Sequence, residues 1–489
     1  HITPHPQHRI EQLSAAFTYM RTYFADRHAY LQALPELAAV DCSYTTQYWS
    51  DELYWRRRGL PGVPQAGDNV FIPGGEVVVI DVDTPVLGKL VIQGFVQISR
   101  SPRAGPDQPI VLNANYIFVL NGGRLQAGTP GSPLQGLFTI QLHGTRGSAP
   151  LVQRWGSKVL AVLKGGQLNL HGKARSASWT RLESNAVAGT RGIKLPAGAA
   201  MGWPVGEELM ISTSSHDLHQ TEVATLSAAS SSGDVELAET LSYDHNGELY
   251  SFAGVDGDGY DGRAIVASLT RNVRIYGIGD AQDSWGCSMI IQGRAYVERV
   301  ELRYCGKRGA SGTGTVFPAV LVDGRGPGTI SGYFRDSVVR QSYSDALATR
   351  GRVNFRNSLE FEVTGNLVFS VLGGTGYSLQ APVSAFSRNA AASIHMDQAG
   401  GGGIGFDTHS FPIDSNLAVG AELYGFQISA WECAGLPDLP INTAMACGSA
   451  GVHIVSNDFG RARCGRLTGF LSLMNRGAGF SSLVVGAFT

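Results

Sequence analysis

The chain has 489 residues, 43% of them apolar and only 16% charged, with a net charge of −2. That length exceeds one ordinary core, so the chain holds either two to four units or a single stacked solenoid. The near-neutral balance excludes a surface built for nucleic acid or anionic lipid, and no run of 18 apolar residues supplies a membrane span in this segment.

The chain begins at His1 without a basic-then-apolar leader, which reads as a processed or excised piece of something longer. Over residues 8–39, Ile10, Leu13, Phe17, Met20, Phe24, Leu31 and Leu34 keep a three-four spacing that Arg27 interrupts and Pro35 ends. This predicts an amphipathic helix within an N-terminal segment, 1–40, that covers the end or side of a β body. Residues 41–172 then read as short strands with glycine corners: EVVVIDV, KLVIQG and YIFVLNGG are rich in Val and Ile and fit no helical period. The 63 glycines follow no Gly-X-Y repeat and serve as corners where a positive φ costs little.

A β-rich connecting region is expected over 173–268 and parallel β-helix repeats over 269–489. FRDSVVRQS at Phe334 and FRNSLEFEV at Phe355 recur after 21 residues, within the 20–30 residue period of β-helix coils. Asn354, Asn357 and Asn366 fall near predicted corners, where asparagine can hydrogen-bond along a stack. The fold class is therefore all-β, an elongated β-solenoid ending in a right-handed parallel β-helix.

Six cysteines lack the paired spacing of a zinc site. Cys287 and Cys305 lie about one solenoid turn apart, and Cys433 and Cys447 flank a proline-rich loop, so both pairs are candidate disulfides, with buried free thiols as the alternative. Arg56, Arg57 and Arg58 beside Trp49 and Trp55 make a basic aromatic patch able to hold an anionic sugar, or else a solvated loop face. His395, Asp397, Asp407 and His409 surround a GGGGIG loop and are the best candidates for proton transfer on a polysaccharide; ordinary polar corner residues are the competing reading. Asp256, Asp258 and Asp261 stand among glycines as a calcium candidate, without the distal Glu of an EF-hand, and a solvated turn is the alternative. His216, His219 and His171 read as surface or packed polar residues. No phosphate loop, dinucleotide fingerprint, nucleophile elbow or HExxH motif occurs. No cofactor is expected, with calcium as the alternative.

Several stretches in order resemble the family that carries the G-eight domain followed by parallel β-helix repeats. They are Trp55 with Pro64-Gln-Ala-Gly-Asp68-Asn-Val, Val78 through Ile92, Gly122 through Gly128, KVLAVLKGGQLNLHG with Trp179-Thr180-Arg181-Leu182, WPVGEELMIST, QTEVATL and LTRNVRIYG, together spanning 49–370. The hyaluronidase branch of that family carries histidines where this chain has Trp285-Gly286-Cys287 and Phe317-Pro318-Ala319-Val320-Leu321-Val322, so the resemblance is to the fibrocystin branch. It implies a non-catalytic extracellular or cell-surface module of a longer coat protein, the ciliary surface included. Other extracellular proteins, glycans and neighbouring domains are the implied partners, with no nucleic acid among them. The alternative is a hyaluronidase-type glycan-degrading enzyme using β-helix carboxylates.

Overall fold

The computed structural model describes residues 46–99, 109–152, 155–249, 261–279, 283–308, 316–325, 329–351, 359–381, 383–397, 400–409, 413–429, 442–455 and 470–483. The expected helix at 8–39 lies outside them, as do Asn354 and Asn357. Among the described residues no helix is long and apolar enough to cross a membrane.

Short apolar strands wind around a common core and pair in parallel with the coils before and after. Among the described residues one face is a ladder of nine strands, running from Thr46–Tyr48 through Val77–Ile80, Gln167–His171 and Arg294–Glu298 to Val383–Ser387. A second face runs from the first half of Ile110–Val119 through Phe138–Leu142, Val273–Gly277 and Val338–Ser342 to Phe470–Leu473. A third runs from Asn69–Ile72 through Val159–Val162 and Ser288–Ile291 to Ala478–Leu483. The strands before residue 172 and those after 273 occupy the same ladders, since Phe138 pairs with Val273 and Gln167 with Arg294.

Alternation explains the core. Val78, Val96, Leu125, Leu168, Ala295 and Phe334 point inward on successive rungs of the first face, while Val79, Gln97, Gln126, Asn169 and Tyr296 point outward. On the third face Tyr377, Phe406 and Phe426 stack through the interior with centroids 4.9 and 4.7 Å apart. Asn366 stands in a buried column with Asn389, Asn416 and Asn442, steps of 23, 27 and 26 residues. The 21-residue spacing of the two Phe-Arg words is not a coil step. Phe334 pairs with Val363, and the next rung from Ser337 is reached 29 residues on, at Asn366.

Between His171 and Val273 the chain leaves the solenoid, and its described residues form a six-stranded antiparallel sheet. One side buries its own core of Leu182, Leu195, Trp203, Leu209, Leu226 and Val266. The other presents Met210, Ile265, Ala267 and Leu269 to the outside of the second face, against Val338, Leu367, Ala390 and Leu417. The insertion is therefore clamped onto the solenoid by apolar packing and is not a free appendage.

His171 ends a first-face strand fully inside the protein, with Nε2 3.0 Å from the Tyr333 hydroxyl. Burial pushes its pKa down to about 4, with Arg299 adding to the effect and a Gly128 backbone contact opposing it. The unfolded chain takes up this proton near pH 6.5 while the folded chain refuses it, so stability is present above that pH and lost as pH falls from 6.5 toward 4. The difference amounts to up to about 3 kcal/mol. Melting temperatures of the parent and His171→Gln should therefore converge across this window, and parallel curves would refute the assignment.

Candidate functional site

The helix Glu52–Arg57 is capped by Asp51, whose carboxylate accepts from the Leu53 amide, and it covers the first coils. The sequence placed Trp49 and Trp55 in a sugar-stacking patch; both are 0% exposed, packed edge to face at 4.8 Å, with Trp55 Nε1 donating to the Trp49 carbonyl. Neither ring can meet a ligand, because each already fills the end of the core. Arg58 is also committed: it donates to Glu76 at 2.5 Å and to the Phe71 carbonyl, and lies over the Tyr54 and Trp55 rings. Arg56 pairs with Glu52 in the open, a contact worth little in water. Arg57 completes the last turn of the same helix.

His395 follows the second-face strand Ala390–Ile394, and Asp407 lies in the third-face strand Ile404–His409. His395 Nδ1 is 3.0 Å from Glu422 Oε1, whose other oxygen accepts from the Met396 amide. Asp397 closes the glycine loop by accepting from Gly401 and faces Arg308 at 3.4 Å. Asp407 accepts from Gln427 at 3.1 Å. No two of these three share a partner among those contacts. The side chain of His409 lies outside the described residues.

Asp345, which the sequence did not single out, accepts from the Thr375 amide. Burial holds its carboxyl above the usual range, and the charge of Asp407 pushes in the same direction. Its signal in the sequence is one acid in an otherwise neutral run, SYSDALAT, too common to act on.

Of the calcium candidates, Asp256 and Asp258 lie outside the described residues. Asp261 is gripped by Arg263 at 2.9 Å and Arg181 at 3.1 Å. Burial alone would raise its pKa, but these two guanidiniums outweigh it and hold it below the usual range. The carboxylate that a calcium ion would need is thus in an ion pair with two guanidiniums.

Cys287 and Cys305 are joined as a disulfide between adjacent rungs. Cys447 is buried, and Cys433 lies outside the described residues. Where the hyaluronidase branch is expected to carry histidines, Cys287 is thus bonded, and Val320 and Val322 point into the core. None of these groups can move a proton at neutral pH.

The first face carries the richest outward chemistry. One column reads Phe95, Arg124, Gln167, Arg294, Ser331 and Glu360; its neighbour reads Gln97, Gln126, Asn169, Tyr296, Tyr333 and Glu362. Arg124 lies 5.1 Å over the Phe95 ring, Tyr296 and Tyr333 meet edge to face at 5.4 Å, and Arg335 sits 4.2 Å over Tyr333. Rungs of amides, guanidiniums and phenols on a rigid ladder are the groups that hold sugars or extended polar chains.

Comparison with known proteins finds similar sequences over part of the chain. The G8 domain family matches residues 54–183. Human fibrocystin-L is 33% identical over 289 residues, 54% of this chain, and dog fibrocystin is 32% identical over 217 residues, 44% of this chain. The chain spans only 7% and 5% of the length of these two relatives. Among solved structures, the Gp54 tailspike of Acinetobacter baumannii bacteriophage AP22, in complex with a capsular saccharide, aligns over 82% of this chain and 68% of its own, with 8% identity and a TM-score of 0.23. Residues 54–183 thus match the G8 domain and form the first coils of a parallel β-helix, and about half of the chain is similar to fibrocystin-L and fibrocystin.

Proposed function

We propose that this chain is a non-catalytic structural and binding module of a longer extracellular or cell-surface protein, presenting its first face to glycan or protein partners. The observation that carries the reading is the double outward column of that face, whose register repeats polar and aromatic groups rung after rung. The described elements that pack outside the solenoid go elsewhere. The inserted sheet covers the second face, and Val152 and Trp155 cover part of the third. A rigid ladder loses little entropy when it binds, which favours recognition along its length.

The test is binding of the chain to immobilised acidic and neutral glycans, with Arg294→Ala/Tyr333→Ala as the comparison. Loss of one exposed cation and one ring should weaken binding by about tenfold. Equal binding by parent and variant would overturn the assignment of this face.

A second reading, glycan cleavage, is favoured by one observation: Asp345 is held protonated more readily than an ordinary carboxyl, with Asp407 as a charged neighbour. Incubation with hyaluronan and related polyuronates, with calcium and then with chelator, is expected to leave chain length unchanged. Size reduction that disappears in Asp345→Asn or Asp407→Asn would establish the enzyme instead.

A further inference from the structure

The inserted sheet and the solenoid meet at a second kind of contact besides apolar packing. After the strand Glu208–Ile211 the chain makes a 310 turn, Leu218–Gln220, capped by Asp217, which accepts from the His219 amide at 3.0 Å. Leu218 is buried against Gly420 of the solenoid strand Leu417–Ala421. Gly420 has φ +67, and a Cβ there would stand 3.3 Å from the Leu218 carbonyl, so both backbone shape and space call for glycine. This close approach fixes where the 310 turn sits and aims His219 at the solenoid.

Two residues meet it there. His395 and Glu422 are each the residue after a second-face strand, one rung apart, following the paired Ile394 and Ala421. The rings of His219 and His395 stand parallel, 9° between planes and 6.2 Å between centroids. One ligand atom from each of His219, His395 and Glu422 lies within 4.8 Å of the others. His219 is exposed, and the other two are half-buried.

We propose that His219, His395 and Glu422 bind a divalent transition-metal ion that pins the inserted sheet to the β-helix. Two imidazoles and one carboxylate form a borderline donor set that suits zinc, cobalt, nickel or copper and gives calcium or magnesium too few oxygens. A tetrahedral zinc with bonds of about 2.1 Å keeps its ligand atoms about 3.4 Å apart, so a small rotation of the exposed His219 completes the geometry. Water takes the fourth position on the solvent side. The Met396 amide already orients Glu422 through the oxygen that does not face His395, which is the support a ligating carboxylate needs. Each imidazole nitrogen and the carboxylate must be unprotonated at its ligating atom, so binding weakens in acid.

The test is calorimetric titration of the whole chain, freed of metal by chelator, with zinc chloride and separately with calcium chloride. Cobalt chloride serves as an optical probe of tetrahedral coordination. One zinc per chain is expected, together with a zinc-dependent rise in melting temperature and no calcium binding at this site. His219→Ala, an exposed position whose loss leaves the core intact, should weaken zinc binding by more than about tenfold and abolish the thermal gain. His395→Gln should remove the cobalt visible band. His216→Ala, a neighbouring histidine whose ring faces the Met474 carbonyl, should change none of these. Absence of zinc binding by the folded chain, or binding unaltered in His219→Ala and His395→Gln, would overturn the proposal.

Discussion

Replacing Asn389 by alanine is expected to destabilise the C-terminal coils by about 3–5 kcal/mol, although the change removes only a small polar side chain. Asn389 is fully buried in the column that joins Asn366, Asn416 and Asn442. Its Oδ1 accepts from the Asn366 amide at 3.1 Å and from the Asn366 side chain at 3.0 Å, while its Nδ2 donates to the Val363 carbonyl and to Asn416. Alanine leaves a buried N–H and a buried carbonyl without partners, each worth about 1–3 kcal/mol, and takes one rung from a chain of mutually polarised amides. Coils stack as nearest neighbours, so the loss is local. Amide hydrogen exchange should accelerate in Leu367–Val371 and Ala390–Ile394 and stay unchanged near Val159–Val162. A loss below about 1 kcal/mol, or exchange that rises everywhere at once, would contradict the ladder as a local brace.

The column shows what a sequence can disclose. Asn366 stands at a corner after a strand-length apolar run, and asparagine at such corners is expected to bond along the stack, which it does. Strand existence was equally legible in EVVVIDV or YIFVLNGG, because β-branched runs between glycines have few other uses. The coil step was not. Loops between strands differ in length, so the distance between two similar words, Phe334 and Phe355, measures a resemblance between words and not a rung. The antiparallel insertion was hidden for a related reason: ELMI and IVAS alternate like solenoid strands, and pairing direction leaves no local mark. Trp49 and Trp55 misled because a Pro- and Arg-rich setting reads as surface, while the tertiary fold turns both rings inward and sends Arg58 to Glu76. His395 and Glu422 meet because their rungs are stacked, and only the docking of the insertion brings His219 to them.

Glu301→Ala should be as damaging as the asparagine change, about 3–5 kcal/mol, for an electrostatic reason. Glu301 is 0% exposed on the second face, and its Oε1 accepts from Arg340 at 2.8 Å and from the Tyr276 hydroxyl at 3.1 Å. Its Oε2 accepts from the Arg271 amide and faces Arg274 at 3.6 Å. Arg340 continues to Glu208 of the inserted sheet at 2.6 Å, so the carboxylate anchors a chain of charge that crosses the junction between insertion and solenoid. Nearby, Arg271 is wholly buried, and desolvation lowers its pKa to about 9. Removing Glu301 leaves Arg340 with one acid in place of two and the Arg271 amide without its acceptor. Glu301→Gln keeps one acceptor oxygen, puts a non-accepting NH2 in place of the other, and should lose roughly half as much. The decisive comparison is the double variant Glu301→Leu/Arg340→Met, in which no buried charge is left unpaired at this step. It should be more stable than Glu301→Ala, because an apolar pair costs less than a buried guanidinium that has lost one of its two acids. Burial also predicts that these differences persist in high salt, which screens only exposed charge. Additive single-site losses in the denaturation cycle would mean that Glu301 and Arg340 act independently, and this part of the junction would then be held by its apolar face of Met210, Ile265 and Ala267.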